Sequence, residues 1–261
     1  MQTVDQGVRL HRLAKWKRDA LTHLGGDRLL GDRAGMEATL SRAVGSLWMA
    51  YQPILRAADG GLFGHEALVR TAERSFPHPG ALFEAAERTG RVHELGRAIR
   101  AKVASSVGVT GNGCLFVNLH PQDLLDPSLL SPDSPLAAHA QSVVLEVTER
   151  ASLEGIADLP QRIRSLRSLG YRIAVDDLGA GYAGLTSFAA LEPEVVKLDM
   201  ALVRGADQEP IKRKLIHSIT TLCKELAILV VAEGVETEAE RRTMVELGCD
   251  LLQGYLLGRP G

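Results

Sequence analysis

Glu66, Glu146, Asp176, Asp177 and Glu233 fall near the ends of separate short apolar runs, apart from the adjacent aspartates, and Asn118 adds another oxygen donor of the same kind. Carboxylates gathered in a small volume cannot all ionise without a compensating cation. Oxygen donors without a dominant His or Cys set suit Mg²⁺ or Mn²⁺ better than Zn²⁺. The Asp176-Asp177 pair leaves room for two ions, one aspartate bridging and the other binding a single ion. Such ion pairs, roughly 3.5–4 Å apart, drive in-line attack on phosphodiesters. Lys197, in VVKLD, lies between apolar neighbours and must snorkel or meet a carboxylate. In an acidic centre it would orient or deprotonate an attacking water, or neutralise developing phosphate charge.

Taken singly, each residue has a plainer reading. Glu66 alone reads as a rim charge facing water, Glu146-x-x-Glu149 as a helix-entry pair, and Asp176-Asp177 as a strand end with one acid capping the next helix. GAGYAG at 179–184 either lets backbone N–H groups approach a phosphate or makes a tight turn. It lacks the lysine and spacing of a P-loop. The histidines show no HxxxH or HxH spacing and none is assigned to a metal.

The elements that must position these groups are eight apolar runs: 47–55, 62–70, 114–119, 143–149, 172–177, 195–199, 228–236 and 251–257. Most are rich in Val, Ile and Leu, too short for helices, and separated by helical or turn patterns. Asp59-Gly60-Gly61 links the first two too tightly for a crossover helix, so that pair is antiparallel. Helical stretches at 79–107, 153–169, 205–225 and 237–248 make the later strands parallel, while Pro- and Ser-rich 127–135 reads as an irregular loop. The predicted fold is a TIM-like (β/α)₈ barrel with one antiparallel strand, its site at one rim.

The chain has 261 residues, enough for one such barrel, and a formal net charge of −2 with both signs interspersed, which gives no electrostatic case for nucleic acid or an anionic membrane. Cys114, Cys223 and Cys249 lack CxxC spacing and read as packing groups in a reducing compartment. No apolar stretch has the length of a signal peptide core or a membrane span, so the expected location is cytoplasmic. The chain divides near residue 46. Residues 1–45 form an N-terminal helical segment and linker, with a basic amphipathic helix in VRLHRLAKWKRDALTHL and a loop at Gly25-Gly26 and Gly31 to Gly35. That helix is either a membrane-surface or partner helix, or one packed on the barrel or connecting to a sensor module.

Glu66-Ala67-Leu68-Val69-Arg70, preceded by Tyr51-Gln52-Pro53-Ile54, resembles the signature of EAL-domain phosphodiesterases, which hydrolyse cyclic di-GMP. The likeness continues through FVNLHP at 116–121, LEVTE at 145–149, DDLGAGY at 176–182, VKLD at 196–199, AEGVE at 232–236 and QGY at 253–255. The resemblance implies that Glu66, Asn118, Glu146 and Asp176 ligate one metal, and Asp176, Asp177 and Glu233 a second. It implies that Lys197 activates the nucleophilic water, that Glu149 anchors the loop after the aspartates, and that Gln253 completes the active site. Gln52, Leu68, Arg70, Asp199 and Glu236 match substrate contacts. The implied reaction opens cyclic di-GMP to linear pGpG with Mg²⁺ or Mn²⁺, in a homodimer, with residues 1–45 open to a sensor or regulatory partner. Leu178, Ala180, Ala183 and Gly184 stand where the family loop DFGTGYSSL carries Phe, Thr and two Ser. That change keeps a second reading in view: a receptor that binds cyclic di-GMP and turns it over slowly or not at all.

Overall fold

In a computed structural model, residues 26–108, 113–148, 153, 155–179 and 184–261 are described. Eight strands close into a barrel in sequence order. They are β1 (Leu47–Arg56), β2 (Leu62–Thr71), β3 (Cys114–Leu119), β4 (Val143–Thr148), β5 (Arg172–Leu178), β6 (Val195–Leu198), β7 (Leu229–Ala232) and β8 (Leu251–Leu252). The first strand is antiparallel to both neighbours, from Leu47↔Thr71 to Leu55↔Leu62 on one side and at Leu55↔Leu252 and Arg56↔Leu251 on the other. All other neighbours are parallel. The β1–β2 turn is built as its sequence requires: Gly60 takes φ 70° and Asp59 Oδ1 accepts from Gly61 N–H at 2.8 Å.

Helices α1 (Gly26–Gly45), α2 (Pro79–Thr89), α3 (Val92–Ser106), α4 (Leu159–Leu169), α5 (Gly184–Leu191), α6 (Met200–Val203), α7 (Pro210–Glu225) and α8 (Glu238–Glu246) accompany the strands. The main core, including Leu115, Val117, Leu145, Ile173 and Val230, joins strands to helices. A second apolar cluster of Ile54, Phe116, Val144, Ala174, Val195, Val231 and Leu251 fills the barrel. Among the described residues no helix is long and apolar enough to cross a membrane. Cys223 and Cys249 are buried, whereas Cys114 is half-buried and lies 2.8 Å from the Arg172 guanidinium.

Two sequence expectations are corrected. The loop expected at 25–35 is helical from Gly26 onward. Interior glycines cost a helix about 1 kcal/mol each, but α1 recovers this by docking. Leu40 and Ala43 are fully buried, Arg42 pairs with Glu73 at 2.9 Å, and Arg91 donates to Glu37 O and Ser41 Oγ at 2.9 Å. The last two runs are also shorter as strands than as apolar patterns. The chain leaves β7 at Glu233, with Gly234 at φ 66°, and leaves β8 at Gln253. Gly254 then packs so closely on Val235 that a Cβ would lie 2.1 Å from its carbonyl oxygen. The basic helix expected within residues 8–24 lies outside the described residues.

Candidate metal-dependent active site

Strand pleating sends alternate residues into the barrel, and the parallel register puts the inward residue nearest each C-terminal end at a common level. Glu66 pairs across β1–β2 with Gln52, Asn118 with Glu146 across β3–β4, and Thr148 with Asp176 across β4–β5. At the centre is Lys197 of β6, fully buried. Its Nζ lies 2.6 Å from Glu233 Oε1, 2.7 Å from Glu146 Oε1, 3.3 Å from Glu66 Oε2 and 3.4 Å from Asp176 Oδ1. Those four carboxylates come from β2, β4, β5 and the residue following β7.

The polar shell around Glu66 is directional. Asn118 Nδ2 donates to its Oε1 at 2.9 Å and Gln253 Nε2 to its Oε2 at 2.7 Å. Gln253 also donates to Gln52 Oε1 at 3.2 Å, and Gln52 donates to Gly258 O at 3.0 Å. Burial pushes Glu66 up, but the Lys197 charge and the bonds from Gln253 and Asn118 together hold it below the ordinary carboxylate value. Glu146 and Glu233 are driven well above it, chiefly by burial, with Lys197 opposing and neighbouring acids adding to the rise. Asp176 is raised for the same first reason. Lys197 is held firmly as an ammonium, since Asp176, Glu146, Glu233 and Glu66 outweigh the effect of its burial.

At the site the alternation breaks. The β5–β6 register shifts between Val175 and Leu178, and Asp177 takes φ 59°. Adjacent strand residues otherwise point to opposite faces, yet here Asp176, Asp177 and Glu233 offer ligand oxygens all within 4.8 Å of one another. Among the described residues Glu146 Oε2 is deeply buried and accepts no hydrogen bond, and neither does Gln253 Oε1. Five carboxylates against one ammonium, all-oxygen donors and buried acceptors without donors fit a divalent cation, which would take the place of the protons the acids otherwise keep.

The other sequence candidates spread over the same rim. Leu68 and Arg70 continue up β2 on the face of Glu66, the Arg70 guanidinium donating to Val69 O at 2.9 Å. Asp199 is buried just after β6 and caps α6 by accepting from Ala201 N–H at 2.7 Å. Glu236 is exposed and ion-paired with Arg204. Glu149 and loop residues 180–183 lie outside the described residues. Two participants escaped the sequence reading: Arg204, and Glu240, whose buried carboxylate accepts from the N–H groups of Gly205 (3.2 Å), Glu236 (2.9 Å) and Thr237 (3.1 Å). It thereby ties the turn after α6 to the loop after β7. The Thr237-x-x-Glu240 capping box was the available signal.

The EAL domain family model matches residues 37–260. The chain is 33% identical over 226 residues to the cyclic di-GMP phosphodiesterase RocR of Pseudomonas aeruginosa, covering 80% of this chain and 56% of that protein. The structure of the P. aeruginosa MucR phosphodiesterase with cyclic di-GMP superimposes with TM-score 0.73 at 29% identity, over 87% of this chain and 97% of that one. Klebsiella pneumoniae BlrP1 with manganese and cyclic di-GMP gives 0.69 at 30% identity, over 82% and 56%. Other curated relatives are longer still, and the chain spans only 30–32% of three of them. With nearly all of the barrel inside the matched span, the chain belongs to the EAL domain family.

Proposed function

We propose that this chain is a metal-dependent phosphodiesterase that hydrolyses cyclic di-GMP to linear pGpG. The observation that carries the reading is the Lys197 ammonium enclosed by four carboxylates, with Asp176, Asp177 and Glu233 convergent beside it. Relatives named as cyclic di-GMP phosphodiesterases and solved complexes with that ligand support it.

In this reading Glu66, Asn118, Glu146 and Asp176 would hold one Mg²⁺ or Mn²⁺, and Asp176, Asp177 and Glu233 would hold a second. Ions bound there would supply positive charge to the phosphate and make a water more acidic. The manganese complex of the Klebsiella relative supports the choice of metal. Lys197 holds its protons toward the attacking water and orients it. Water oxygen bonds to phosphorus as the P–O3′ bond breaks, and the proton the water gives up ends on O3′, so that one water and cyclic di-GMP become linear pGpG with a 5′-phosphate. Gln253 and Asn118 keep Glu66 ionised by donating to both its oxygens. Gln52, Leu68, Arg70, Asp199 and Glu236 grip the substrate, and Glu149 anchors the loop after the aspartates. Residues 46–261 are the catalytic barrel of a homodimer. Residues 1–45 are the segment through which a sensor or partner acts, and the expected setting is the cytoplasm.

The test is chromatographic product analysis of cyclic di-GMP incubated with the protein and Mg²⁺ or Mn²⁺, with chelator, and with Glu66→Ala as the blank. Metal-dependent pGpG absent from the blank is the expected result. Intact, bound cyclic di-GMP would overturn the enzyme reading in favour of a receptor, the alternative that the loop at 178–184 favours by its missing hydroxyls.

A further inference from the structure

On β1 the inward face carries Ile54 in the apolar floor, then Gln52 opposite Glu66, then Ala50 opposite Leu68, and finally Trp48 opposite Arg70. Because β1 runs against β2, its first residues lie at the same rim as the carboxylates. Trp48 therefore shares the face of the site, and it is 50% exposed although it is a large apolar ring flanked in sequence by buried Leu47 and half-buried Met49. Directly opposed residues of an antiparallel pair hold their Cβ atoms about 4.5–5.5 Å apart, so the Trp48 and Arg70 side chains leave the strands as cross-strand neighbours at the rim. Four residues along a strand place both roughly 13 Å above the Glu66 level.

From this register we infer that Trp48 is a base-stacking residue that fixes one nucleobase of the substrate. The inference rests on the phosphodiesterase reading for the identity of the ligand. A cyclic dinucleotide gripped at one phosphorus near Lys197 must send a base away from the metal centre, and the face leading out of it ends in a half-exposed indole across the strand pair from Arg70. Aromatic stacking recognises the π-face that every base presents, and the neighbouring guanidinium adds attraction for phosphate or for the base edge. Among the described residues the Trp48 ring is left half exposed, whereas the other inward residues of β1 are buried.

The test compares Trp48→Ala and Trp48→Phe with the unsubstituted chain. Cyclic di-GMP affinity is measured by calorimetry with Ca²⁺, and kcat and KM with Mn²⁺. Trp48→Ala should weaken binding and raise KM by about tenfold, within the range for loss of one base–aromatic stack, with kcat changed less than about twofold. Trp48→Phe should recover most of the affinity. Unchanged affinity in Trp48→Ala, or equal losses in both variants, would overturn the inference. So would a change in oligomeric state by light scattering with affinity intact, which would assign the indole to a protein contact. If the unsubstituted chain binds cyclic di-GMP without hydrolysing it, the enzyme reading fails while the affinities still decide Trp48. If it binds none, both fail.

Discussion

Phe116, Val144, Ala174, Val195, Val231 and Leu251 form a dry floor inside the barrel. Two residues further along the same strands stand Asn118, Glu146, Asp176, Lys197, Glu233 and Gln253. One pleat period separates a layer that any folded barrel wants from a layer that folding alone resists. The floor removes apolar surface from water without any polar atom to satisfy. Among the described residues the rim buries acids against a single ammonium and leaves acceptors without donors. The same backbone carries both, so the division between stability and chemistry lies in the side chains.

The largest test of this contrast is Lys197→Met. Removing the ammonium should lower hydrolysis by about a thousandfold, with the far-UV circular dichroism of the metal-loaded protein unchanged. Persistence of near-normal turnover would show the central cation to be structural only. On the floor, Phe116→Ala should cost about 3–5 kcal/mol in urea unfolding, while Mn²⁺ affinity of the molecules that remain folded changes little. A variant that lost metal binding in proportion to stability would dissolve the distinction between the layers.

Much of this division was visible in the chain. The eight apolar runs, the reversed first strand and the acids at strand ends all follow from period-two patterning and from the Asp59-Gly60-Gly61 turn. Lys197 between apolar neighbours had to snorkel or meet a carboxylate, and it meets four. What stayed hidden depends on contacts distant in sequence. Glycines at 31 and 35 argued for a linker, because no local pattern shows that Leu40 and Ala43 will dock. The shortness of β8 follows from Gly254 meeting Val235, and the place of Trp48 at the rim follows from register, not from composition.

A subtler probe is Glu146→Gln. In the metal-free protein it replaces an acid that burial holds well above its ordinary value of 4.5 with a neutral amide, and it should raise stability by about 0.5–2 kcal/mol while abolishing the added stability that Mn²⁺ confers. Unchanged metal stabilisation in melting experiments would remove Glu146 from the ligand set.

The smallest effect is a slope. Glu146, Asp176 and Glu233 have raised folded values, so the stability they contribute is complete below their unfolded values and is lost as pH rises through the folded ones. Glu66, held low, works in the opposite sense and contributes above its unfolded value. With three acids against one, the melting temperature of chelated protein should fall from about pH 5 toward pH 8, and saturating Mn²⁺ should flatten the curve. A rising curve in chelator would mean that the acids are satisfied without metal.

The seam between β8 and β1 has a mechanical meaning. A closed barrel is a hoop, and this one is joined by two paired positions, Leu55↔Leu252 and Arg56↔Leu251, reinforced where Tyr51 and Gly261 exchange backbone hydrogen bonds at 2.9 and 3.2 Å. β8 is the shortest strand of that hoop, held by two paired positions to β1 and two to β7; a hoop breathes at its shortest stave, and here the next residue is Gln253, which grips Glu66. Amide exchange should therefore be fastest among the strands at 251–253 and should slow when the site is filled, because a ligand that holds Glu66 also holds the barrel shut.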